Sequence, residues 1–225
     1  MRSPPSRNLL TALGARFDGA ALRVTLPGQP ERAVRAPTAA QVALWAPIHA
    51  WCFLGAGNGS SPLLHPTQAP QVDQRFSVAV WRAATDAEQD VVDAFSRHLD
   101  GSHQLLAAGG AWAGLLLRVR VKACDVAWWR HRQESDPWDC GYVPDEPAVH
   151  RALRHFQPRR ATLMVAQDWP AEALAEAVAQ MAQCAWRFQH PVRWLVVERR
   201  HSNISERLQM AGVPVQALQP RAAEA

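Results

Sequence analysis

Three short apolar runs close the chain: ATLMVA at 161–166, VRWLVVE at 192–198 and VPVQAL at 213–218. Two stretches of helical period separate them. A helix opened by Pro170 and running through Gln189 carries Leu174, Val178, Met181, Ala185 and Phe188 on one stripe. A shorter one starts at Ser202 or Ser205, carries Ile204 and Leu208, and stops at Gly212. Runs that are apolar at consecutive positions belong to strands covered on both faces. Strands joined through helices pair in parallel with right-handed crossovers. The last sixty residues are therefore expected to cross repeatedly through one buried sheet.

The upstream segments extend this pattern. The run 76–81 (FSVAVW) alternates as a strand, and Thr85 and Glu88 form a capping box for a helix with Val91, Val92, Phe95 and Leu99 on one face, stopped at Asp100-Gly101. A long strand is expected over 115–124, and Asp145 is placed to cap a helix carrying Val149, Leu153 and Phe156. The stretch 125–142 follows no period. Nearer the N-terminus, 21–26 and 31–36 flank a PGQP turn as a hairpin. Thr38 caps a helix over 39–54 with Val42, Trp45, His49 and Cys52 or Phe53 at helical spacing, before the Gly- and Pro-rich connector that begins at Gly55. The expected fold class is α/β (or α+β): a β-α-β-rich body over 71–225, preceded by an N-terminal hairpin-and-helix section over 1–70.

Composition narrows the partners. Of the 24 basic side chains only Lys122 is a lysine, while Ile, Asn and Tyr are scarce. All are residues with A/T-rich codons, so the bias marks a bacterial gene of high G/C content. Arginine abundance alone therefore does not argue for nucleic acid. A formal charge of +4 still favours an anionic partner, and guanidinium groups suit phosphate and carboxylate. The four cysteines form no CxxC pair. With no secretory leader and no apolar run of spanning length, the expectation is reduced thiols in the cytoplasm and no membrane association.

Three groups of residues are candidates for function. Asp168 and Glu198 each end an expected parallel strand, the edge at which α/β sheets take ligands, and His201 follows closely. Two carboxylates there suit a metal-dependent nuclease or hydrolase, although acidic residues at helix starts are also ordinary electrostatics. Arg118, Arg120 and Lys122 share one face of the 115–124 strand, and Arg199 and Arg200 flank the 192–198 strand. Such basic faces hold nucleic-acid backbones, and the competing reading pairs them with acidic residues of a covering helix. Trp128, Trp129 and Trp138 lie in the aperiodic segment and mark either a lid on the sheet or a contact for a protein partner.

Other motifs carry less. The glycines after residue 54 follow a helix rather than precede one, so they cradle no phosphate. Cys124, His131, Cys140 and His150 lack the close spacing of structural zinc ligands, and neither metal nor cofactor is expected. The resulting expectation is an accessory subunit that binds nucleic acid, or a protein complex handling it, through arginine and tryptophan. The hydrolase using Asp168 and Glu198 is the first alternative. A structural protein docking a sister subunit through its tryptophans is the second.

Overall fold

The structure, a computed structural model, describes residues 35–53, 75–83, 85–107, 137–158, 160–198 and 203–219. The expected hairpin, the glycine-rich connector and the 115–124 strand fall outside these residues. In chain order the elements are α1 (Ala39–Cys52), β1 (Phe76–Arg82), α2 (Asp86–Leu99), α3 (Ser102–Ala107), β2 (Asp139–Tyr142), α4 (Pro147–Arg154), β3 (Thr162–Gln167), α5 (Ala171–Cys184), β4 (Val192–Glu198), α6 (Ile204–Met210) and β5 (Val215–Leu218). A 3-10 turn, Ala185–Arg187, extends α5.

The strands form one sheet in the order β2-β3-β4-β1-β5, and every neighbouring pair is parallel. The fold is α/β. Strands β1, β3 and β4 are mostly apolar on both faces because both are covered. Ala79, Trp81, Leu163, Val165, Leu195 and Val197 meet α1 and α2 on one side. Val78, Val80, Met164, Trp194 and Val196 meet α4, α5 and α6 on the other. The helix of the N-terminal section thus packs on the sheet of the body.

Local chemistry sets the element ends. Thr38 with Gln41 and Thr85 with Glu88 form complete capping boxes, so the first free amides of α1 and α2 are satisfied by side chains. The stripe on α1 is shifted from its expected position: Trp45, Ile48, Trp51 and Cys52 are buried, while Val42 is exposed. Helix α4 begins one residue later than the Asp145 cap implied, with Glu146 at the N-cap and Pro147 inside. Gly212, at φ +75, turns the chain out of α6 in the left-handed region open to glycine.

Strand β2 was not expected from sequence, and it opens on a buried polar pair. Asp139 at its start is fully buried, and Arg160, just ahead of β3, lies with its Nε 3.6 Å from Asp139 Oδ1. Beside this amino edge of the sheet, buried Arg193 of β4 donates from Nε to the carbonyl of Cys52 at 3.2 Å. A guanidinium thereby holds the last carbonyls of α1, where the helix dipole favours a cation. Burial pushes the thiols of Cys52 and Cys140 up, which makes them inert rather than nucleophilic.

Asp100 caps α2 and accepts from the Ser102 amide at 2.7 Å. Burial raises its carboxyl to about 7, against the opposing pull of the Ser102 bonds. The folded form therefore binds a proton more tightly than the unfolded chain, and stability falls as pH rises from about 3.8 through about 7. Asp100→Asn keeps an acceptor for Ser102 but never ionises. Its melting temperature is expected to gain on the wild type by several degrees between pH 4 and pH 8; parallel pH profiles would refute the assignment.

Candidate functional site at the carboxyl edge of the sheet

Two neighbouring strands send the chain in opposite directions. From β1 it passes into α2 on one face, and from β4 into α6 on the other. Diverging connections leave a crevice between the carboxyl ends of β1 and β4, the position at which open α/β sheets take ligands. The strands end in register there, Arg82 opposite Glu198, and the amide of Ala83 donates to the Glu198 carbonyl at 3.1 Å.

The two side chains share a face and differ sharply in environment. Glu198 is 4% exposed and Arg82 55%, with Arg82 Nε 3.4 Å from Glu198 Oε2. The second carboxylate oxygen, Oε1, is buried and has no hydrogen-bond partner among the described residues. The terminal amino groups of Arg82 likewise make no hydrogen bond among the described residues. A fixed carboxylate thus holds one cation at the rim with donors still to spend.

Asp168 lies on the same edge. Gln167 pairs with Val197, so the next residue of each chain segment, Asp168 and Glu198, end adjacent strands. Asp168 is exposed, adopts φ +58 and accepts from Gln167 Nε2 at 3.1 Å. Aspartate tolerates this left-handed conformation better than most residues. Beyond it, Trp169 seals the edge over β2 and β3. Its Nε1 donates to the Val143 carbonyl at 2.6 Å, and His150 stacks on its ring at 5.0 Å. His150 also lies 2.8 Å from Asp145.

The sequence-derived candidates divide as follows. Asp168 and Glu198 stand at the carboxyl ends of adjacent strands, and Arg82 meets Glu198 from β1, a strand not foreseen as its neighbour. His201, Arg199 and Arg200 follow Glu198 directly in the chain but lie outside the described residues, as do Arg118, Arg120, Lys122, Trp128 and Trp129. Trp138 corrects the expectation of a partner contact. It is buried, donates its amide to the Leu99 carbonyl at 2.9 Å, and meets Phe53 edge-on at 5.3 Å. Its indole fills the gap between α1 and the start of β2, so it is core. Arg160 is likewise buried, against Asp139.

Among the described residues, no group of three or more His, Cys, Asp or Glu side chains converges as metal ligands. One further concavity, of about 510 Å³, lies between the start of α1 and α2. Arg35, Thr38, Gln41, Asp90, Asp93 and Arg97 line it, with Arg97 already paired to Asp93 at 3.0 Å. No described helix is long and apolar enough to cross a membrane. No family model matches the chain, and no curated protein or solved structure matches it.

Proposed function

We propose that the protein is a binding subunit for nucleic acid, taking backbone phosphate at the carboxyl edge of its sheet. The observation that carries the reading is Arg82, held half-exposed at the switch point by buried Glu198 with its terminal amino groups unspent. The sequence adds two arginines immediately after Glu198. Guanidinium donors in a fixed fork suit phosphate, and the net charge of +4 favours an extended anion. Glu198 acts here as a positioning residue. Through its bond to Nε it sets the direction of the Arg82 fork.

Binding of a labelled oligonucleotide across a salt series tests this. Affinity is expected to fall steeply with salt as counterions are released. The combined variant Arg82→Ala, Arg199→Ala, Arg200→Ala is expected to lose at least about tenfold, since a hydrogen bond to a charged group contributes about 1.5–3 kcal/mol. Unchanged affinity in that variant, with a flat salt response, would remove the reading.

A further inference from the structure

Seven tryptophans fall among the described residues, and they are treated very unequally. Trp45, Trp51, Trp81, Trp138, Trp169 and Trp194 are at most 5% exposed, whereas Trp186 is 64% exposed. Its exposure is built in by its neighbours. Ala185 and Phe188 on either side are buried in the core, so the turn is pinned to the body and the indole between them points outward. Arg75, just ahead of β1, donates from Nη1 to the Trp186 carbonyl at 2.6 Å and braces the same turn.

The surroundings are cationic and polar. The guanidinium carbon of Arg187 stands 4.9 Å from the centroid of the Trp186 ring. Phe188 packs against Phe156 with ring centroids 6.3 Å apart, which brings the end of α4, with exposed Arg154 and His155, to the same edge. From Ala177 to Val197 the chain has no acidic residue. Among the described residues, Arg75, Arg154 and Arg187 make no ion pair. Gln183 and Gln189 complete the exposed neighbours in sequence.

We infer that this turn, at the amino edge of the sheet, is a stacking platform for single-stranded nucleic acid. Trp186 receives a base, and Arg187 and Arg154 receive flanking phosphates. A protein hot spot is set within apolar contacts that exclude water. Here the exposed residues that flank the indole in the chain are Gln183, Arg187 and Gln189. A lone exposed aromatic among unpaired cations is the combination that holds a base and its backbone together. The inference rests on the nucleic-acid reading above but places a separate contact at the opposite end of the strands.

The test uses the full chain and a fluorescein-labelled oligothymidylate or oligouridylate read by anisotropy. Trp186→Ala is expected to weaken binding roughly tenfold, Trp186→Phe to retain most of it, and both to melt as the wild type does. Arg187→Ala with Arg154→Ala is expected to lower the dependence of log affinity on log salt by about 1.4, from about 0.7 per lost phosphate contact. Duplex of the same length should bind more weakly and be indifferent to Trp186→Ala. If Trp186→Ala binds as tightly as wild type while the carboxyl-edge variant is impaired, this inference fails and the proposed function stands. Absence of binding by the wild type overturns both. Equal competition by polyglutamate at matched charge overturns the platform in favour of an acidic protein partner.

Discussion

Asp139→Ala is expected to cost about 3–5 kcal/mol of folding stability, because it leaves the buried Arg160 guanidinium without the carboxylate facing it. That is a large share of the roughly 5–15 kcal/mol that holds a domain together. The pair stands at the amino ends of β2 and β3, so its loss also loosens the edge strand. Replacing both partners together is a different matter. Asp139→Leu with Arg160→Met removes the need to desolvate two charges and should recover most of the loss. Urea unfolding of the single and double variants measures this. A single variant within about 0.5 kcal/mol of wild type, as for an ordinary surface change, would show that the pair carries no weight.

The second large effect belongs to the centre of the sheet. Trp194→Ala is expected to destabilise by about 3–5 kcal/mol, since it empties a fully buried site on β4. The conservative change is more telling. Trp194 Nε1 is buried with no hydrogen-bond partner among the described residues, whereas Trp81 Nε1 donates to the Glu88 carbonyl at 3.2 Å. An unsatisfied buried donor costs about 1–3 kcal/mol. Trp194→Phe removes that penalty along with some packing, while Trp81→Phe removes a satisfied bond. Thermal melts should therefore rank Trp81→Phe as the more damaging of the two, and the reverse order would refute the account.

The parts legible in sequence were those in which burial is written locally. Strands β3 and β4 are continuous apolar runs because helices cover both faces, and α5 shows its stripe because one face is covered. Strand β2 escaped notice because two of its four residues, Asp139 and Gly141, are not apolar. Its burial depends on an arginine 21 positions away, and no periodicity reports such a pairing. The same limit applied to the carboxyl edge. Asp168 and Glu198 followed from strand ends alone, but Arg82 required knowing that β1 lies beside β4. Trp138 misled because an aromatic in an aperiodic segment looks exposed until its neighbours are placed. Trp186 carried a usable signal. It sits one residue past Ala185 on the expected helical stripe, hence off the buried face, although its exposure was not foreseen.

The pairing of β1 with β4 also bears on how the chain is made. Arg82 and Glu198 are 116 residues apart, so the ribosome releases the first strand long before the one that must lie beside it. At about 5–20 residues per second, that delay is on the order of ten seconds. Throughout it, the sticky stretch ending in Trp81 has neither of its final neighbours, since β5 emerges later still. A nascent chain halted before residue 192 should consequently remain sensitive to protease and engaged by chaperones, and synthesis rather than sequence-local propensity sets when the sheet can close.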